Sequence, residues 1–195
     1  MKVLVVYAHP NPESFVSALH RAVLAGLSRA GHVADDLDLY AEGFDPVMPL
    51  QQRQSFYKPG DNGSSVQAYV DRLRAAEGVV FVYPTWWQGG PAILKGFLDR
   101  TLLPGVAFAM QQGKMVPRLL NVRRIDAVTT YGSPWWLSNL YLAQADRSFL
   151  ARGMRRFCHP KAKVGWHGFW SVNASTPEDR QAHLQRIESA FSAYR

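Results

Sequence analysis

Five times along the chain a short apolar run gives way to a segment with helical spacing. This alternation constrains the fold more than any other feature. Lys2–Tyr7 (KVLVVY) has the composition of a strand buried on both faces. Ser14 stands as the N-cap of a helix to about Ala30, with Phe15, Leu19, Ala22, Val23 and Leu27 on its apolar side and Gly31 as its stop. His32–Leu39 reads as a second strand, less apolar and so nearer an edge. Ser64 or Ser65 caps a second helix carrying Val66, Tyr69, Val70, Leu73 and Ala76 on one face. Gly78–Tyr83 (GVVFVY) is the strongest strand, and Pro91 suits the first position of a third helix, to about Leu102. Ile125–Thr130 is a fourth strand, Leu137–Ala151 a helix and Lys163–His167 a fifth strand. Thr176 caps the last helix, with Pro177 first in it and Leu184, Ile187, Phe191 and Tyr194 as its apolar face.

Such an order predicts an α/β chain: one domain over residues 1–195, in three layers, with a doubly wound five-stranded parallel sheet. A chain of 195 residues is long enough for a proper core, and 47% hydrophobic against 19% charged residues excludes intrinsic disorder. The single cysteine, Cys158, excludes a disulfide scaffold and a cysteine-based zinc site. It reads as a small buried side chain. No stretch reaches the ~18 apolar residues of a membrane span, and the apolar part of the N-terminus, Val3–Ala8, is too short for a signal-peptide core. A soluble, cytoplasmic protein is expected. His20, His32, His159, His167 and His183 are scattered without ligand spacing, so no metal is expected.

Charge is uneven. The net charge is +7, with 9 Lys+Arg against 10 Asp+Glu in residues 1–100 and 13 against 5 thereafter. The densest group is Arg152, Arg155, Arg156, Lys161 and Lys163. Such a surface suits a phosphorylated small molecule, a nucleic acid or a membrane surface, or is simply solvated. No nucleic-acid-binding motif accompanies it, so no nucleic-acid partner is expected.

In doubly wound sheets ligands bind beyond the carboxyl ends of the strands. Three loops there carry chemistry. His9–Ser17 lacks both glycine-rich nucleotide signatures but ends at a helix start, where amide groups and the dipole favour an anion; His9, Ser14 and Ser17 add donors. Its plain reading is a turn and a cap. Pro84-Thr85-Trp86-Trp87-Gln88-Gly89-Gly90 carries adjacent tryptophans, one of which could pack inward while the other stacks on a flat ligand or on a second chain. Thr129-Thr130-Tyr131-Gly132-Ser133-Pro134-Trp135-Trp136 repeats the theme, with an aromatic interface as its alternative. No nucleophile–base–acid set is evident, which points to a ligand that brings its own reactivity, such as a flavin. Residues 41–63, without a steady period, form a long excursion of the kind that is usually functional. Asp36 and Asp38 come at the end of the second strand without a glycine fingerprint and read as turn or solvating residues.

The stretch from Tyr83 to Phe97 (YPTWWQGGPAILKGF) resembles the signature of the NAD(P)H:quinone oxidoreductase family, which has the flavodoxin-like fold. The opening Val6–Phe15 (VYAHPNPESF), Asp38-Leu39-Tyr40 and Thr129–Gly132 are similar to that family as well, in the right order. The resemblance implies a sheet of order 2-1-3-4-5 and a homodimer with its active site at the interface. It implies hydride transfer from NAD(P)H through bound FAD, or alternatively FMN, to quinone-like acceptors. His9 and Ser14, Phe15, Val16 and Ser17 would hold the flavin phosphates. Pro84, Thr85, Trp86, Trp87 and Gln88 would contact the ring, and Thr130, Tyr131, Gly132 and Ser133 its pyrimidine edge. Three positions depart from the family: Leu137 and Ala143 stand where members carry a Tyr and a His that assist proton movement, and Val16 where Asn is common. Some relatives dock on potassium-efflux transporters, which makes a regulatory flavin-binding subunit the alternative function.

Overall fold

The computed structural model describes residues 1–142 and 144–195. β1 (Lys2–Tyr7) alternates so that Leu4 and Val6 enter one core and Val3, Val5 and Tyr7 the other. β3 (Gly78–Pro84) does the same, with Val79, Phe81 and Tyr83 opposite Val80 and Val82. Both strands therefore read as unbroken apolar runs. β1 pairs in parallel with β2 (Val33–Asp38) and with β3; β3 pairs with β6 (Arg124–Thr130), and β6 with β7 (Lys163–Phe169). The resulting five-stranded order β2-β1-β3-β6-β7 is the expected 2-1-3-4-5 topology. The less apolar β2 lies at an edge, as its composition suggested, and Val33 is exposed there.

α1 (Phe15–Arg29) and α6 (Pro177–Ser192) pack together on one face of the sheet. Two of the three caps predicted from sequence form. The Ser17 amide donates to Ser14 Oγ at 3.1 Å, and Thr176 and Asp179 make a reciprocal capping box ahead of Pro177. The third does not, because Ser64 and Ser65 lie inside a 3-10 turn (Ser64–Val66) and the helix behind it opens at Gln67 with Val66, which has no side-chain oxygen, at its N-cap. The other core holds α3 (Gln67–Ala75) and α4 (Ala92–Thr101). Pro91 caps α4 from outside rather than opening it, one residue from its expected place. Residues 41–63 contain the short α2 (Leu50–Gln54) and are tied to α4 by Arg100 Nε donating to Gln52 Oε1 at 2.9 Å.

Two segments differ from expectation. Phe108–Gln111 (β4) and Lys114–Pro117 (β5) form an antiparallel hairpin that the period-based reading does not see. Its turn, Gln112-Gly113, has positive φ at both residues, and this X-Gly pair was the available signal. Leu137–Ala151 is not one helix. It holds a π-type turn at Leu137–Tyr141, a left-handed Gln144 (φ 40°), the four-residue α5 (Ala145–Ser148) and a second π-type turn at Phe149–Gly153. Leu140, Tyr141 and Phe149 are exposed, so no continuous buried stripe holds a regular helix here.

Candidate active site

Strands β1, β3 and β6 deliver the three loops to one end of the sheet. His9 leaves β1, and its Nδ1 lies 3.0 Å from the Asn11 amide and 3.2 Å from the Asn11 carbonyl; the neutral tautomer that accepts from the amide carries its proton on Nε2 as a donor. Burial lowers its pKa, only partly offset by its backbone contact with Asn11, and favours that neutral form. The His9 ring lies 6.0 Å from Trp86, which joins the first loop to the second. Ser14 Oγ is the helix cap but keeps its own proton to donate. Ser17 Oγ accepts from Arg21 at 2.9 Å. Val16 sits in the core, so only its backbone is available to a ligand. Phe15 packs on Phe169, ring centroids 5.1 Å apart.

In the second loop Thr85 is fastened twice: its amide to the Thr130 carbonyl and its hydroxyl to that of Thr129, both at 2.9 Å. Trp86 and Gly89 exchange hydrogen bonds across a tight turn whose two central residues, Trp87 (φ 50°) and Gln88 (φ 63°), are left-handed without being glycine. Such positions cost about 1–3 kcal/mol each and persist where the surroundings dictate them. The strain holds Trp87 fully exposed at the tip, and Trp86 is 44% exposed. Neither packs inward. Trp135 and Trp136 in the third loop are exposed as well. The Ser133 and Ser138 hydroxyls bond at 2.7 Å, closing that loop.

Tyr131 instead turns inward. It is 1% exposed and stacks on Trp170 at 5.5 Å. Its hydroxyl donates to Asp146 at 3.2 Å, and the hydroxyl of buried Tyr83, from β3, donates to the same carboxyl at 3.3 Å. Burial raises the pKa of all three groups, so both tyrosines stay protonated. Asp146 lines a cavity of about 380 Å³, with Gln88, Gly89 and Gly90 on one side and Phe81, Tyr83, Leu94, Leu98, Phe149 and Leu150 around it. Its walls are almost wholly apolar.

A sequence model of the flavodoxin-like fold matches residues 1–191. The chain belongs to the flavodoxin-like fold family. This flavodoxin-like chain is 35% identical to human ribosyldihydronicotinamide dehydrogenase [quinone] over 220 residues, covering 97% of the chain and 92% of the relative. It is 34% identical to an uncharacterized NAD(P)H oxidoreductase of Haemophilus influenzae over 137 residues, where 68% of the chain matches 65% of the relative. Among solved structures, the NAD(P)H:quinone oxidoreductase from Methanothermobacter marburgensis superposes with a TM-score of 0.86 at 23% identity, over 100% and 99% of the two chains. The FMN-dependent NADH-azoreductase from Bacillus anthracis, in complex with FMN, superposes with 0.77 at 17%, over 98% and 97%.

The residues present fit a flavin. A free donor at His9 and an open helix start suit a phosphate, and exposed rings beside an apolar cavity suit a heterocycle. His9, Ser14, Pro84, Thr85, Trp86, Trp87, Gln88, Thr130, Gly132 and Ser133 come to this end of the sheet, while Phe15, Val16, Ser17 and Tyr131 turn their side chains into packing or buried bonds. Leu137 opens the π-type turn, and Ala143 lies outside the described residues. Sequence reasoning missed Asp146. Its one signal was a carboxylate in a stretch otherwise rich in aromatic and apolar residues. No helix among the described residues is long and apolar enough to cross a membrane.

Proposed function

We propose that this chain is an NAD(P)H-dependent flavoprotein reductase that passes hydride to quinone-like acceptors. The observation that carries the reading is the pairing, at one end of the sheet, of a phosphate-suited helix start beside His9 with an apolar cavity floored by Tyr83 and Asp146. The names of the human and Methanothermobacter relatives support it. A bound flavin supplies the carrier that accepts and releases hydride. His9 Nε2–H, the Ser14 hydroxyl and the first amides of α1 hold its phosphate, with Phe15, Val16 and Ser17 contributing backbone. Pro84–Gln88 border its ring and Thr130–Ser133 its pyrimidine edge, while the apolar walls exclude water from the acceptor. These contacts serve FMN and FAD alike. FAD would also need a seat for its adenosine beyond these contacts.

Incubation with FMN or FAD followed by gel filtration is expected to leave a yellow protein that bleaches with NADPH under anaerobic conditions. A colourless protein overturns the reading, and mass analysis of the released flavin tells the two apart. Trp87→Ala is expected to weaken flavin retention about 2–12-fold, the worth of about 0.5–1.5 kcal/mol of stacking. Unchanged retention removes Trp87 from the site.

A homodimer is part of the proposal. Trp86, Trp135, Trp136, Leu140, Tyr141 and Phe149 are exposed apolar side chains of the second and third loops and the segment after them, and Phe149 also lines the cavity. Sedimentation is expected to show a two-chain particle at micromolar concentration; a monomer would reassign those side chains. Arg147 and Arg152 line an adjoining polar cavity with Asn139 and Ser148, which favours NADPH over NADH through its extra phosphate.

A further inference from the structure

Asp146 is the group that neither the loops' sequence nor the family resemblance assigns. It sits at the start of a four-residue helix, takes the Arg147 amide on Oδ1 at 2.8 Å, and presents its carboxyl to the cavity wall. Among the described residues its polar neighbours come from three elements besides its own backbone amide. From β3 comes the Tyr83 hydroxyl, and from the end of β6 the Tyr131 hydroxyl. Lys95 of α4 lines the same cavity but is held by Asp99 at 2.5 Å, and the Arg147 guanidinium turns to Gln144 Oε1 at 3.3 Å. No cation pairs with Asp146 among the described residues. The remaining walls, Phe81, Leu94, Leu98, Phe149 and Leu150, offer no proton.

We propose that Asp146 is the catalytic acid that protonates the carbonyl oxygen of a quinone-like acceptor held in this cavity. The inference rests on the oxidoreductase reading above. Hydride, supplied by NAD(P)H through the flavin, brings two electrons and one proton to the acceptor and leaves a hydroquinone monoanion. The Asp146 O–H bond breaks, an O–H bond forms on the acceptor's remaining oxygen, and neutral hydroquinone departs. The carboxylate left behind is met by two tyrosine hydroxyls and the Arg147 amide, all donors already in place. Water returns the proton once the product has left. In the resting site burial raises the Asp146 pKa and outweighs the three donors, which lower it; the same donors hold the anion once the proton has gone.

The test uses the flavin-loaded protein and menadione as acceptor. Asp146→Asn is expected to lower kcat about 10²–10⁴-fold and to abolish the loss of rate toward high pH. Rates are expressed per bound flavin, so that loss of the cofactor is not read as loss of the acid. Tyr131→Phe is the milder variant: with one donor to the anion removed, the basic limb of the pH profile should move to higher pH. An independent readout is infrared spectroscopy of the flavin-free chain, where a protonated-carboxyl band present at neutral pH should vanish in Asp146→Asn. An Asp146→Asn protein with wild-type turnover and pH profile overturns the proposal and leaves the oxidoreductase reading intact. Absence of that carboxyl band in the wild type overturns it as well. A chain that binds no flavin overturns both.

Discussion

Replacing Asp126 by alanine is expected to cost the fold about 3–5 kcal/mol, a drop of roughly 6–20 °C in Tm by thermal unfolding. Asp126 is 0% exposed in the middle of β6. Its carboxylate holds Arg124 Nε and His167 Nε2, each at 2.9 Å, and Arg124 in turn lies 4.0 Å above the Tyr194 ring. Removing the carboxylate strands a guanidinium and an imidazole that are only about a fifth exposed. Burial alone would raise the Asp126 pKa; the His167 and Arg124 bonds outweigh it and hold the group below the usual carboxylate range. A depressed folded-state pKa contributes stability that is complete above the unfolded-state pKa and is lost as pH falls through the folded one. The wild-type Tm should therefore decline at pH below about 4 more steeply than that of Asp126→Asn. Equal slopes would show that the network contributes nothing. Gly165 belongs to the same device: a Cβ there would lie 1.9 Å from Asp126 Oδ1. Gly165→Ala should destabilise wild type strongly and the Asp126→Ala background much less.

Gly96→Ala is expected to destabilise by about 2–3 kcal/mol, although alanine in an exposed helix interior stabilises by about 1 kcal/mol over glycine. The sign is the test. A Cβ on Gly96 would stand 2.3 Å from the Pro46 carbonyl oxygen and 2.5 Å from its Cα, and backbone cannot swing aside as a side chain does. The contact docks the 41–63 excursion on α4, and α4 supplies Leu94, Lys95 and Leu98 to the cavity. Urea unfolding gives the stability change, and flavin retention should weaken with it. A neutral or stabilised variant would mean that the excursion is not docked there.

Much of the fold was legible because it is local. Strand alternation depends on residues two apart, and the caps at Ser14 and Thr176 on residues three apart, so periodicity and composition report them directly. The loops at the sheet's end followed from the alternation itself, since parallel strands must all finish on one side. The sequence by itself thus determined the layers, the strand order's edge at β2 and the end of the sheet where chemistry occurs. Only the tertiary structure decided the rest. It turned Tyr131 inward and Trp87 outward, broke Leu137–Ala151 into short turns, and brought Tyr83 to Asp146 across 63 residues and His167 to Asp126 across 41. Those pairings follow no period along the chain. A buried carboxylate is tolerated only where distant donors converge on it, and that convergence exists only once the sheet has formed.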